Sequence, residues 1–182
     1  MAGTADNCAF IPPSQFSKEP SMNYLIPGET AMIYLKAIVE EHIFTDMAYI
    51  QIKGDSAVGK KRLVRRIEYM NNTMTNVMFE TGGTGITDQD CEIKFSFGGE
   101  SFSIDVHKRE LETAKVYYLA LVGLSRAQQR NDLISGTTMS LASKVVVNPG
   151  DFGSTMIGLG STLVANYKPE SYKSVIESFL LR

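Results

Sequence analysis

The sequence predicts a mainly β fold in which a curled antiparallel sheet is capped by a helix and followed by an extension that ends in a second, amphipathic helix. Two patterns carry this prediction. From Tyr24 onward, short runs of alternating apolar and polar residues are separated by turn-forming residues, and after Val106 the apolar residues change to helical spacing. Strands with one apolar face need a cover and an amphipathic helix needs a surface, so we expect the two to pack together.

The strand pattern is clearest over Cys91–Phe97, where every second residue is apolar. Gly98 and Gly99 separate this strand from a second alternating run, Ser101–Val106, and two glycines favour a tight hairpin turn. Four further strands are predicted at Ala31–Val39, Ile43–Ile52, Arg62–Tyr69 and Thr75–Thr81.

Two helices are predicted after the strands. The first covers about His107–Gln129, with one apolar face formed by Leu111, Ala114, Tyr118, Leu121 and Val122. The second begins near Pro169, with an apolar face formed by Tyr172, Val175, Ile176, Phe179 and Leu180. We therefore expect an extended arm over 1–22, a domain over 23–130 and a C-terminal extension over 131–182 that serves as an assembly segment.

Composition narrows the class of protein. The net charge of −2 argues against a dedicated nucleic-acid binder, and 43% hydrophobic with 21% charged residues is ordinary for a globular chain of 182 residues. Cys8 and Cys91 lack metal-ligand spacing and are interpreted as free thiols in a reducing compartment. Without a secretory signal or a membrane span in the sequence, we expect a cytoplasmic protein.

A series of short motifs resembles a known family. Leu25-Ile26-Pro27-Gly28-Glu29, Ile43-Phe44-Thr45, Gly59-Lys60-Lys61 and Phe79-Glu80-Thr81-Gly82-Gly83-Thr84 occur in this order. The series, over about residues 24–125, is similar to the bacterial pleckstrin-homology-like domain family. The resemblance implies a β-barrel with a C-terminal helix, no established catalysis and ring-like homo-oligomers. The family's Asn-Lys-Arg after Phe-Thr is replaced by Asp46-Met47-Ala48, which removes two positive charges.

The strongest local charge feature is a basic hairpin. The candidate ligand-binding residues are Lys53, Lys60, Lys61, Arg62 and Arg66. Such a set attracts phosphoinositides, other anionic lipids or acidic proteins. The preferred interpretation is nevertheless a solvated hairpin tip, because lysines commonly blunt the edge of a sheet.

Other chemistry-bearing patterns are weaker. Residues 54–60 read GDSAVGK, which matches the start of a phosphate-binding P-loop, but Lys61 replaces the Ser or Thr that holds magnesium. The glycines at 82, 83 and 85 suit a turn. His42 and His107 lack ligand-spaced neighbours, and the alternating acids Asp88, Asp90 and Glu92 suit a solvated strand face. We therefore predict no catalytic residues, no metal and no cofactor.

These observations favour a non-enzymatic structural or interaction protein. It is expected to assemble with copies of itself or to serve as a subunit of a larger complex. The alternative is a peripheral membrane adaptor that binds anionic lipids through the basic hairpin.

Overall fold

The part of the chain that the structure describes contains two antiparallel sheets, a long helix that packs on them and a second helix near the C-terminus. The computed structural model describes residues 7–54, 61–82, 90–144, 158, 161–162 and 168–181. The five-stranded sheet runs in the order β1 (Ala9–Phe10), β2 (Ala31–Lys36), β3 (Glu40–Thr45), β4 (Ala48–Gly54) and β5 (Arg62–Glu68). The three-stranded sheet contains β6 (Thr75–Thr81), β7 (Asp90–Phe97) and β8 (Glu100–His107), and the helices are α1 (Leu111–Lys144) and α2 (Tyr172–Leu180). The predicted mainly β fold with a helical cover is confirmed.

The prediction of one long strand over Ile43–Ile52 is wrong. The segment forms two strands, β3 and β4, joined by a tight turn at Asp46–Met47, so that Phe44 lies opposite Tyr49. The side chain of Thr45 stabilises this turn, because its Oγ1 accepts hydrogen bonds from the backbone N–H groups of Met47 and Ala48. The turn contains neither glycine nor proline, and its one turn-forming residue, Asp46, is a weaker signal for a reversal.

The predicted hairpin between β7 and β8 is confirmed. Gly98 and Gly99 both adopt positive φ, at 59° and 82°, which glycine accepts without strain. Register places Phe95 opposite Phe102, and the two rings stack with centroids 5.2 Å apart. The alternation read from the sequence therefore places the aromatic residues of both strands on the inner face.

The main core lies between the two sheets and is closed by α1. Tyr49 is fully buried at its centre, with ring centroids 4.8 Å from Phe44, 5.2 Å from Phe95 and 5.0 Å from Phe102. The α1 residues Ala114, Leu121 and Leu124 complete the same cluster. Fully burying side chains of this size contributes about 2 to 3 kcal/mol each, so this contact between sheets dominates the packing.

The outer face of the five-stranded sheet carries a second, smaller core. Its buried residues are Tyr34, Ile43, Ile50 and Ile52, covered from outside by Ile11, Phe16, Met22 and Leu25. Two 3-10 segments, Pro13–Lys18 and Pro20–Tyr24, supply part of this cover. The sequence predicts an extended arm over 1–22, whereas the described part of this segment pairs with β2 and packs on the sheet.

The N-terminal segment also links the two sheets. Cys8 forms a parallel bridge with Val106 of β8, and its N–H donates to the Asp105 carbonyl over 2.7 Å. Immediately after it, β1 pairs with β2. Among the described residues β5 and β6 share no strand pairing, so the term barrel applies only loosely to this pair of sheets.

Both helices differ from their predicted extents. Helix α1 continues to Lys144, so the domain boundary predicted near residue 130 lies inside a continuous helix. Helix α2 packs against α1 through Ile176, which is fully buried, and Phe179, whose ring lies against Gly123. Any side chain at 123 would collide with that ring. Neither helix has the length and apolar content of a bilayer-crossing segment over the described residues.

A buried histidine makes the fold sensitive to acid. His42 is 1% exposed, and its Nδ1 lies 2.7 Å from the Tyr49 hydroxyl. Burial, together with the charge of Lys53, lowers the pKa of His42 to about 3. Below the ordinary histidine pKa of about 6.5, the unfolded chain therefore takes up a proton that the folded chain does not. The folded state therefore has its full stability above pH 6.5, and its free energy of unfolding decreases as the pH falls below that value.

We predict that the free energy of unfolding decreases by about 1.5 kcal/mol between pH 6.5 and 5, and that His42→Gln removes this decrease. Chemical denaturation at several pH values measures it. His107→Gln, which replaces the other histidine at the end of β8, is the matched control and should keep the decrease. A His42→Gln protein with the wild-type pH dependence would contradict the assignment.

Candidate interaction surfaces at the two ends of the five-stranded sheet

Part of the predicted basic hairpin lies at one end of the five-stranded sheet. Here the β2–β3 turn, closed by a hydrogen bond from Ala37 N–H to the Glu40 carbonyl, lies beside the ends of β4 and β5. The Gly54 N–H donates to the Val39 carbonyl over 2.7 Å, and Gly54 is paired with Arg62. We call this end the tip surface and define it by Ile38, Lys53, Lys61, Arg62 and Leu63.

The tip surface combines cations with exposed aliphatic side chains. Lys53, Lys61 and Arg62 are exposed, and Lys53 Nζ lies 3.4 Å from the Glu40 carboxylate. Ile38 and Leu63 are 56% and 62% exposed. The exposure of these two residues was not predicted from the sequence, because each lies in a run of residues with the pattern of a buried strand.

Arg66 does not belong to the tip surface. It lies opposite Ile50, four residues along β5 from Arg62, and its guanidinium forms ion pairs with Glu29 and Glu68. Lys60, the remaining residue of the predicted set, lies outside the described residues, as does most of the P-loop-like segment. The structure therefore brings together Lys53, Lys61 and Arg62 and separates Arg66 from them.

The opposite end of the sheet is organised around Glu29, whose side chain is completely removed from solvent. Its carboxylate accepts hydrogen bonds from Arg66 Nη1 at 2.8 Å, Thr45 Oγ1 at 2.5 Å and the Ile26 N–H at 3.0 Å. Burial alone would raise the pKa of Glu29, but these three donors outweigh it and hold the pKa below its usual range. Glu29 is therefore a charged clamp between the loop at 26–29, the β3–β4 turn and β5.

Three exposed apolar side chains lie at this end of the sheet, two of them on the loop and the turn that the clamp joins and the third just after β5. Ile26, Met47 and Met70 are 47%, 38% and 73% exposed. The Tyr69 N–H donates to the Met47 carbonyl over 2.8 Å, which ties the end of β5 to the β3–β4 turn. We call Ile26, Met47 and Met70 the loop patch. Its backbone is fixed by hydrogen bonds, although its side chains face solvent.

The C-terminal residues predicted for assembly pack on the chain's own domain. Tyr172, Phe179 and Leu180 are partly buried against the main core, and Ile176 is fully buried in it. Tyr172 meets Tyr69 edge to face, with ring centroids 5.4 Å apart. Val175 is half-buried. A role of this helix in contacts between copies stays a prediction.

An acidic groove of about 400 Å³ lies along the other sheet. Its charged lining residues are Glu80, Asp90, Glu92 and Asp105. Burial, followed by the charges of Glu92 and Asp90, raises the pKa of Asp105. Lys94 lies between Glu80 and Glu92 and neutralises part of this charge. Among the described residues, no group of three His, Cys, Asp or Glu side chains is arranged to hold a metal ion.

The remaining candidate residues serve the fold. The Cys8 thiol is buried, and burial, followed by the charge of Glu40, raises its pKa to about 12, so it is not activated as a nucleophile. His107 accepts a hydrogen bond from the Arg109 N–H at the start of a 3-10 turn. The glycine-rich segment at 83–89 and Asp88 lie outside the described residues.

Two antiparallel sheets closed by a long helix define a pleckstrin-homology-like domain. The chain belongs to the bacterial PH domain family, whose profile matches residues 3–124. The uncharacterized protein YvbH of Bacillus subtilis (strain 168) is 34% identical over 148 residues, which cover 80% of this chain and 72% of that protein. The resemblance read from the motifs is therefore confirmed.

A solved structure extends the similarity into the C-terminal region. The PH-domain-containing bacterial protein from Exiguobacterium sibiricum 255-15 has a TM-score of 0.72 and 27% sequence identity to this chain. The match covers 96% of this chain and 100% of that protein. The family match ends at residue 124, so the similarity to this solved structure covers more of the chain than the family profile does.

We predict that Glu29→Gln lowers the free energy of unfolding by about 2 to 3 kcal/mol, because a neutral amide no longer compensates the charge of Arg66 and its one oxygen cannot accept both from Thr45 Oγ1 and from the two donors that share Oε2. The free energy of unfolding of the double variant Glu29→Gln/Arg66→Met, measured by urea denaturation, should fall by less than the sum of the losses in the two single variants. Glu68→Gln is the matched control, since Glu68 pairs with the same arginine but is 50% exposed, and it should cost less than 1 kcal/mol. Equal losses for Glu29→Gln and Glu68→Gln would contradict the clamp.

Proposed function

We propose that this chain is a non-enzymatic interaction protein of the cytoplasm, a PH-like domain that assembles with copies of itself through the loop patch. The observation that carries the proposal is the combination of exposed apolar side chains with a backbone fixed by a buried ion pair. Family membership is consistent with a binding role, and the burial of the Cys8 thiol gives no support to a catalytic one.

The loop patch has the physical properties of a binding surface. Large apolar side chains that remain exposed on a folded domain mark contact sites when they cluster. Two of the three are methionines, whose flexible thioether side chains fit partner surfaces of varied shape. The Glu29 clamp and the backbone hydrogen bond from Tyr69 to Met47 lower the entropic cost of binding, because they order the segments that carry Ile26, Met47 and Met70.

A second copy is the partner that the charges around the patch favour. Surfaces with a large net charge repel identical copies, so self-association requires a contact surface with little net charge. Beside the loop patch, Arg66 is paired with Glu29 and Glu68, and Asp46 accepts a hydrogen bond from the Thr30 N–H. Three carboxylates and one arginine leave a net charge of −2 here, and each group has a hydrogen-bonding partner within one copy, so the charge that opposes the approach of two patches is small.

We predict that the full-length protein sediments and scatters light as a multiple of its 20.1 kDa chain mass, and that Met70→Asp shifts it to the monomer. A carboxylate at the centre of an apolar contact is left without a partner, which costs several kcal/mol. Light scattering after size exclusion measures the mass over a range of protein concentrations.

Leu133→Asp is the matched control for this experiment. Leu133 is 70% exposed on α1, outside the loop patch, and its replacement should leave the mass unchanged. A monomer at every concentration in the wild-type protein would overturn the proposal. An oligomer that survives Met70→Asp but dissociates on Leu133→Asp would assign assembly to α1 instead.

A further inference from the structure

We propose that the side-chain sulfurs of Met47 and Met70 form a reversible oxidation site, and that their conversion to sulfoxides by a peroxide separates the assembled copies. The location of the site follows from exposure and chemistry alone. The separation of copies deepens the proposed function and rests on it, because it requires that the loop patch be the contact between them.

Exposure divides the methionines of the domain into two groups. Met32 and Met74 belong to the main core and are 7% and 0% exposed, whereas Met47, Met70 and Met78 are 38%, 73% and 52% exposed. An oxidant dissolved in water reaches exposed sulfurs first. Two of the three exposed methionines in the described part of the chain therefore lie together in the loop patch. The third, Met78 on β6, serves as an internal reference.

The cysteines do not compete for the oxidant. Peroxides also oxidise cysteine, but the reacting form is the exposed thiolate. Cys8 and Cys91 are 2% and 1% exposed, and burial raises the pKa of both thiols. Both therefore stay protonated and covered near neutral pH. The sulfurs that this domain presents to a peroxide are those of its exposed methionines.

The reaction adds one oxygen atom to each thioether. A lone pair of the sulfur attacks one oxygen of hydrogen peroxide, so that an S–O bond forms and the O–O bond breaks. The sulfur loses two electrons, and the departing hydroxide takes the proton of the transferred oxygen and leaves as water. Reduction by two thiols on a methionine sulfoxide reductase returns the thioether, with release of water and formation of a disulfide.

The fold uses the backbone of both methionines and leaves their sulfurs to solvent. The Met47 N–H donates to Thr45 Oγ1, and the Met47 carbonyl accepts from the Tyr69 N–H. The Met70 carbonyl accepts from the Asn72 side chain over 3.4 Å. A sulfoxide on either side chain leaves these bonds intact. Oxidation therefore changes the surface of the loop patch without unfolding the segments that carry it.

A sulfoxide opposes the contact between copies because its oxygen is a hydrogen-bond acceptor. Ile26, Met47 and Met70, the side chains that the contact brings together, carry no donor for it. An acceptor buried without a partner weakens association about tenfold, so two sulfoxides in each copy weaken it roughly a hundredfold. The contact also covers both sulfurs, so assembled copies are oxidised more slowly than separate ones.

The test treats the full chain with hydrogen peroxide at low and at high protein concentration. Peptide mass spectrometry locates the added oxygen, and light scattering after size exclusion measures the particle mass. In separate copies we expect Met70 to be oxidised fastest, and Met32 and Met74 most slowly. High protein concentration should slow oxidation of Met47 and Met70 relative to Met78. The oxidised protein should have the 20.1 kDa mass of one chain. The two reductases, one for each sulfoxide epimer, should restore the multimer.

Leucine variants separate oxidation of the loop patch from oxidation elsewhere. Met47→Leu/Met70→Leu keeps the apolar volume but removes both sulfurs, so it should assemble as the wild type does and remain assembled after peroxide treatment. Met78→Leu is the matched control and should dissociate on oxidation as the wild type does. Circular dichroism before and after treatment checks that the domain stays folded.

The outcomes distinguish this inference from the proposed function. A multimer that persists when Met47 and Met70 are fully oxidised would overturn the inference and leave assembly through the loop patch intact. Equal dissociation of the leucine double variant on oxidation would do the same. Slower oxidation of Met70 than of Met78 in separate copies would overturn the location of the site. A wild-type protein that is monomeric before treatment would overturn the proposed function and the separation of copies together.

Discussion

The Glu29 carboxylate accepts hydrogen bonds from Ile26, Thr45 and Arg66, although its side chain is completely removed from solvent. These donors lie on three separate segments, the loop before β2, the β3–β4 turn and β5. A buried charge is tolerated only where partners compensate its lost hydration. The burial of Glu29 is therefore coupled to the meeting of these three segments at one end of the sheet, which positions the loop and the turn that carry Ile26 and Met47.

Exposed apolar side chains lie at both ends of the five-stranded sheet. One end holds the loop patch on the Glu29 clamp, and the other carries the cations and exposed aliphatic side chains of the tip surface. Between them, both faces of the sheet are covered, one by the aromatic core and the other by the N-terminal segment. A sheet covered on both faces leaves its loops and turns as the surfaces available for partners.

The sequence predicted elements whose pattern is local. Alternation over Cys91–Phe97 and the double glycine after it were sufficient for the β7–β8 hairpin, and helical spacing located α1 and α2. The β3–β4 turn was missed because the side chain of Thr45, and not a glycine, closes it. The N-terminal cover was missed because its proline-containing segments gain their structure from packing against the sheet rather than from local preference.

The candidate sites were less accessible to sequence reasoning. Clustering of Lys53, Lys61 and Arg62 could be read from their proximity in the chain. The removal of Arg66 from that set depended on Glu29, which lies 37 residues earlier, and such a pairing requires the three-dimensional register. The exposure of Ile38 and Met70 likewise depends on what the rest of the chain leaves uncovered. Burial of apolar residues is a property of the whole fold and not of a local pattern.

Self-association through the loop patch can be measured by hydrogen–deuterium exchange of the full chain at low and high protein concentration. If the loop patch is the contact between copies, high concentration slows exchange in peptides covering 24–30, 46–48 and 69–72, while peptides from the tip surface and α2 are unaffected. Concentration-independent exchange in those three segments, or new protection confined to α1 and α2, would contradict it.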